Sequence, residues 1–177
     1  MTIFETDRLV CKSLSLADYE TFAKSEEPKW DGFTNPFGHL VNGPSPMQHR
    51  IPRVRIDPSF AEIGLILAID KENNEIIGSA GFHDQPDENG MIEIGFGIVP
   101  EKQNHGFGKE LLHGMWKMIL ARPEVKVLRY TVSPENAPSM HIINKLGFPQ
   151  VGEQIDEEDG LELIFELSAD EYRKRFN

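Results

Sequence analysis

An apolar strand, Glu93-Ile94-Gly95-Phe96-Gly97-Ile98-Val99-Pro100, runs almost directly into Gln103-Asn104-His105-Gly106-Phe107-Gly108-Lys109-Glu110, a glycine-bearing turn that opens a helix. No other segment constrains the chain as strongly. Gly106 and Gly108 carry no Cβ, so the backbone can come close to an anion. The unpaired N–H groups at the helix start point toward such an anion along the positive end of the helix dipole. Spacing excludes two glycine loops of this kind. A G-x-x-x-x-G-K-[ST] loop fails because Gly108-Lys109 is followed by Glu110 and position 103 is Gln103, and G-x-G-x-x-G fails at Leu111. What remains is Q-x-x-G-x-G after an apolar strand, either an anion cradle or a glycine turn ahead of an ordinary amphipathic helix.

A second segment lies downstream, Ser133-Pro134-Glu135-Asn136-Ala137-Pro138-Ser139, continuing to Asn144-Lys145-Leu146-Gly147-Phe148. Asn136 suits an N-cap and Pro138 a first turn, and Met140, Ile143 and Leu146 form an apolar stripe. Gly147 supplies a left-handed stop, with Phe148 packing back on the last turn. At the start of the chain, Glu5-Thr6-Asp7-Arg8-Leu9-Val10 precedes Leu16-Ala17-Asp18.

In this order and spacing, the three segments resemble the GNAT N-acetyltransferase superfamily, in the branch that includes the ribosomal-protein-alanine acetyltransferases. The resemblance covers nearly the whole chain apart from the stretch between Glu27 and Phe60. It implies one α/β (α+β) domain over residues 1–177, with a mixed, mostly antiparallel twisted sheet and helices on both faces. Acetyl-coenzyme A is the implied cosubstrate, and a primary amine, either a small molecule or a peptide or protein N-terminus, the implied acceptor by direct attack. The cofactor contacts it implies are Gln103, Asn104, His105, Gly106, Phe107, Gly108 and Lys109, with the pantetheine arm held by the Asn136 amide. Backbone N–H groups near Ile98 and Val99 would take the thioester oxygen.

Acetyl transfer also needs a base for the amine and a proton for the departing thiolate. Period-2 alternation puts Ile92, Ile94, Phe96 and Ile98 on one strand face and Glu93, Gly95, Gly97 and Val99 on the other, where the glycines leave space beside Glu93. Glu93 matches the position of a carboxylate base in many family members; the alternative is a strand-end charge or a structural acceptor. Ile143 stands where some branches carry an acid tyrosine. Ser139 matches the serine of the ribosomal-protein-alanine type and would donate to the sulfur, or else serve the helix N-terminus as a cap. His83 and Asp84 are possible partners or a second base, and His113 reads as a solvated residue on the polar side of its helix. Lys102, Lys109, Lys145, Arg50, Arg53 and Arg55 are either cofactor or substrate cations or simply exposed charges.

The chain has 177 residues, 39% of them hydrophobic, which suffices for one domain with a real core. No apolar run reaches spanning length and no basic-then-apolar leader is present, so a cytoplasmic protein without membrane contact is expected. Cys11 is the single cysteine, read as a buried strand thiol. The net charge of -11 argues against nucleic acid and suits a cationic amine. No cluster has metal-ligand spacing, so no metal is expected. A monomer or homodimer is expected, and a non-catalytic acyl-coenzyme A binding or sensing module is the alternative to an enzyme.

Strands are expected over Leu9–Leu14, Leu65–Asp70, Glu75–Phe82, Ile92–Val99, Val127–Val132 and Leu161–Leu167, with Lys71–Asn74 as a hairpin turn. Helices are expected over Leu16–Lys24, from Ser15, and over Gly108–Ala121, ended by Arg122-Pro123. The latter buries Leu111, Leu112, Met115, Trp116, Ile119 and Leu120. Six of the twelve prolines fall between Pro28 and Pro58, namely Pro28, Pro36, Pro44, Pro46, Pro52 and Pro58, together with Gly32, Gly38 and Gly43. That density predicts a structured loop or short turns and no long helix.

Overall fold

The structure, a computed structural model, describes residues 1–42, 45–157 and 160–176. Gly43 and Pro44 of the proline-rich segment lie outside the described residues. Eight strands are hydrogen-bonded in the order β1-β2-β3-β4-β5-β6-β8-β7, and the fold is α/β, mixed and mostly antiparallel. The chain gathers into two compact units, Met1–Phe82 with Phe96–Met115, and His83–Gly95 with the residues from Trp116 on.

The first unit holds β1 (Ile3–Glu5), β2 (Leu9–Ser13), β3 (Ile66–Asp70) and β4 (Glu75–Phe82), each antiparallel to the next. β3 and β4 are almost wholly buried, in keeping with runs that are apolar or small apart from Asp70, Glu75 and Ser79. Their hairpin turns through Asn74 at φ 54°, a left-handed position that asparagine tolerates. α1 (Leu16–Ala23) starts at Ser15, whose side chain accepts from the Asp18 N–H while Asp18 reaches back to the Ser15 N–H, a reciprocal cap.

The proline-rich segment departs from expectation. Met47–Ile56 is a ten-residue helix, α2, with Pro52 inside it. Proline removes one intrahelical donor, but Met47, Arg50 and Val54 lie at helical spacing and bury themselves, and that packing outweighs the lost bond. A short α3 (Ala61–Gly64) then leads into β3.

In the second unit β6 (Val127–Val132) pairs antiparallel with β8 (Gly160–Ser168), and β8 with β7 (Gln150–Asp156). β5 (Met91–Ile98) pairs in parallel with β6 from Met91↔Val127 to Ile94↔Tyr130. α4 (Phe107–Ile119), which belongs to the first unit as far as Met115, buries Leu111, Leu112, Met115, Trp116 and Ile119, and Leu120 just past its end is buried too, so Met115 and Trp116 are core residues. Trp116 stacks on Phe148 with centroids 4.8 Å apart and meets the edge of Tyr172 at 5.7 Å. α5 (Ala137–Leu146) is capped by Asn136 and stopped by Gly147 at φ 68°. β1, β7 and a terminal helix α6 (Ala169–Phe176) add to the expected elements. Among the described residues no helix is long and apolar enough to cross a membrane.

Candidate active site

In the first unit the end of β5 turns through residues 99–106 into α4, the segment expected to form the cradle. Glu110 N is the first amide of α4 to find a helical acceptor, Gly106 O at 3.1 Å, which leaves the amides of Phe107, Gly108 and Lys109 without one. Asn104 at φ 62° and Gly106 at φ 82° are both left-handed, a backbone conformation common in anion-binding turns. A Cβ built on Gly106 would meet only Arg8 Nη2, at 3.5 Å. The residues present therefore fit a pyrophosphate.

The side chains of the turn serve its shape. Gln103 Nε2 donates to Ile98 O at 2.8 Å, tying the turn to the strand end, and His105 Nδ1 lies 2.6 Å from Gln103 O. Val99 N donates to Ile77 O at 2.9 Å, so this N–H is already taken. Strand alternation turns the Ile98 N–H to the opposite edge, which makes it the better oxyanion donor of the two residues singled out from the sequence. A Cβ at Gly97 would meet nothing within 4 Å, whereas one at Gly78 would strike Gly97 O at 2.3 Å. Gly97 thus marks open space, and Gly78 close strand packing.

The cation candidates divide. Lys102 is held by Asp70 at 3.1 Å and Glu75 at 3.7 Å, and so is committed within the protein. Arg55 makes a two-pronged contact with Glu20, at 2.8 Å through each nitrogen, and Arg53 lies over the Phe60 ring. Arg50 is buried in place of being an exposed cation. Lys109 is exposed, as is Lys145 in the second unit. Cys11 is fully buried; burial, aided by the Glu110 charge, pushes its thiol up to about 12. Such a thiol is no nucleophile.

One pair in the first unit escaped the sequence. His39, from the proline-rich segment, places Nε2 2.8 Å from Ser79 Oγ on β4. Burial lowers its imidazole to about 4, so it stays neutral at physiological pH. Asn35 holds this stretch, accepting from His39 N at 2.9 Å and donating to His39 O at 3.0 Å.

In the second unit Glu93 lies with Oε1 3.4 Å from His83 Nδ1. Burial pushes its carboxyl up. Contact with His83 and the Thr131 hydroxyl, with the charges of His83 and Arg129, outweighs burial and holds it below the usual carboxylate range. The space expected beside Glu93 is partly filled, because a Cβ on Gly95 would lie 2.9 Å from His83 Nε2. His83 thus covers Gly95, while Asp84 lies beyond the strand end and accepts from Gln85 N at 2.8 Å. His113, expected to be solvated, is half-buried.

Asn136 Oδ1 accepts from Ser139 N at 3.2 Å, so Asn136 is the cap and leaves its NH₂ as a donor. Ser139 is buried and its hydroxyl contacts the Tyr130 phenol, which corrects the capping alternative for this serine. Burial pushes the Tyr130 phenol up to about 12, so it remains protonated, and Ser139 hydrogen-bonds to it. Tyr130 was not singled out from the sequence, although strand alternation placed it on the inner face of β6. Among the described residues no group of three or more His, Cys, Asp or Glu side chains is arranged to hold a metal ion.

Comparison with known proteins agrees with this fold. Residues 8–149 match the family model described as an acetyltransferase (GNAT) domain. The uncharacterized N-acetyltransferase YjdG of Bacillus subtilis (strain 168) is 27% identical over 158 residues, covering 84% of this chain and 90% of that protein. Ribosomal-protein-S5-alanine acetyltransferase from Vibrio fischeri superposes with TM-score 0.68 at 15% identity, over 97% of this chain and 99% of that one. Mutant forms of the spermidine/spermine N-acetyltransferase SpeG from Vibrio cholerae superpose with TM-score 0.66 at 14% identity, over 96% and 100% of the two chains. At such identities the superpositions establish the fold and leave the acceptor open. With the family match spanning most of its length, this chain belongs to the GNAT acetyltransferase family.

Proposed function

We propose that the protein is an N-acetyltransferase that moves acetyl from acetyl-coenzyme A to a primary amine by direct attack. The observation that carries this reading is the cradle, where the amides of residues 106–109, Asn104 at φ 62° and Gly106 at φ 82° make an anion site beside the end of β5. Acetyl-coenzyme A supplies a thioester already activated toward a nucleophilic amine. The amides of residues 106–109 hold its pyrophosphate, and the Asn136 NH₂ group holds the pantetheine arm.

The remaining steps belong to the chain's own groups. Glu93, ionised throughout the neutral range, takes the amine proton directly or through a water. His83, with its side chain 47% exposed, passes that proton toward solvent. The Ile98 N–H meets the negative charge that develops on the carbonyl oxygen, a contact worth roughly 3 to 4 kcal/mol of barrier. Ser139, backed by the Tyr130 phenol, donates a hydrogen bond to the departing thiolate, which takes a proton from solvent to leave as the free thiol. Cys11 takes no part, so acetyl never resides on the protein.

The acidic surface favours cationic acceptors, whether a small amine or a peptide or protein N-terminus, and relatives named for ribosomal-protein alanine and for spermidine bracket that range. The lone buried thiol suits a reducing cytoplasm. The test pairs calorimetry with coenzyme A and a screen for thiol release over amine libraries and N-terminal peptides. Binding with turnover on at least one amine is expected. Binding without turnover on any of them would leave a non-catalytic acyl-coenzyme A module, and no binding would remove the reading.

A further inference from the structure

The first turn of α4 is clasped from behind by the corner between β1 and β2. Arg8 donates through Nη1 to His105 O at 2.9 Å and through Nε to Glu110 Oε2 at 2.7 Å. Its guanidinium lies 4.1 Å from the centre of the Phe107 ring. Glu110 is fixed in turn, because its Oε1 accepts from Thr6 Oγ1 at 2.6 Å and from Arg8 N at 2.7 Å. Thr6 Oγ1 also accepts from Leu9 N at 3.1 Å, which closes the corner on itself.

As a stabilising device this clasp is poor. The Arg8 side chain is 46% exposed, and an ion pair so exposed contributes little to folding. Its geometric effect is larger. His105 C=O and Gly106 N–H belong to one trans peptide plane and point in opposite directions. Whatever grips that carbonyl also aims the Gly106 N–H. A glycine at φ 82° flips such a peptide easily, and a flip would turn a carbonyl oxygen toward the anion. Arg8, a planar fork held by Glu110 and Phe107, has the shape needed to grip both acceptors at once.

We propose that Arg8 is a positioning residue of the cofactor cradle: by holding His105 O it fixes the 105–106 peptide so that the Gly106 N–H faces the pyrophosphate. The proposal rests on the acetyl-coenzyme A reading above. Lysine at this position keeps the charge but lacks the planar fork that reaches Glu110 and His105 O through separate nitrogens, so charge and geometry are separable.

The experiment measures calorimetric affinity for coenzyme A and for 3'-dephospho-coenzyme A in wild type, Arg8→Lys and Arg8→Gln, each checked by circular dichroism. It adds amide hydrogen exchange over residues 104–108 of the ligand-free proteins. Both variants are expected to fold, to bind both ligands about tenfold more weakly in equal ratio, as for one lost charge-assisted hydrogen bond, and to exchange faster at Gly106. Wild-type affinity in Arg8→Gln overturns the proposal. So does full rescue by Arg8→Lys, which would make Arg8 a source of charge, or a loss confined to the ligand with the 3'-phosphate, which would make it a direct contact. Wild-type protein without affinity for coenzyme A overturns the underlying reading and this proposal with it, an outcome seen in the wild type alone and so distinct from the variant ratios.

Discussion

Glu93 and His39 show how burial and partners set a single group's charge in opposite senses. Glu93 stays ionised because its contacts outweigh burial, so Glu93→Gln should lower kcat by about 10²-fold while coenzyme A affinity stays near wild type. Steady-state kinetics with the screened amine decides this, and normal turnover would move the base elsewhere. Because the folded-state carboxyl is depressed, its stabilising contribution is full above the ordinary value of 4.5 and fades as pH falls through the folded value. His39 is the converse. The unfolded chain takes up its proton near pH 6.5 and the folded chain only near 4, so stability is lost as pH falls between those values. The loss from this residue should be about 3 kcal/mol, and His39→Gln should flatten that part of the stability curve in urea titrations at stepped pH. The place of Glu93 on the glycine-bearing face of β5 was legible from strand alternation. His39 was not, since its partner Ser79 lies forty positions away and nothing local announces the pair.

At the scale of elements, β5 carries glycines for two different reasons that the sequence alone does not separate. Gly97→Ala should leave stability within about 0.5 kcal/mol, because its Cβ meets open space, yet weaken coenzyme A binding if that space belongs to the ligand. On β4, Gly78→Ala drives a methyl into Gly97 O and should cost about 1 to 3 kcal/mol by urea unfolding. Equal stability losses in the two variants would contradict this account of the strand. Elements with strong local signals, the Ser15 reciprocal cap, the Asn74 turn and the Gly147 stop, were legible to within a residue or two. α2 was not, because its stability comes from burying Met47, Arg50 and Val54 against a helix-breaking composition. β7 was missed for the opposite reason: Gln150–Asp156 lies mostly exposed and has little apolar pattern to read.

For the whole molecule, an excess of 29 acidic over 18 basic residues surrounds a site that must take a strongly anionic cofactor. On the proposed reading, local amides do the binding and the wider field favours cationic acceptors. For such an acceptor, kcat/KM should therefore fall severalfold as salt rises from roughly 10 mM to 150 mM and the field is screened. A flat dependence would remove the charge argument for the acceptor. Cys11→Ala should keep most activity, with intersecting initial-rate lines in both proteins, because a fully buried thiol pushed up to about 12 carries no acetyl. The central claim is that the turn over residues 103–109 is a pyrophosphate cradle, and calorimetric titration of coenzyme A into wild type and Gly106→Val tests it most directly. The account predicts saturable one-to-one binding in the wild type and none in a variant whose circular dichroism is unchanged, because a β-branched residue is strained at the φ 82° of Gly106 and cannot keep the backbone that aims the 106–109 amides at the phosphate. Undiminished affinity in the folded variant, or none in the wild type, would contradict it.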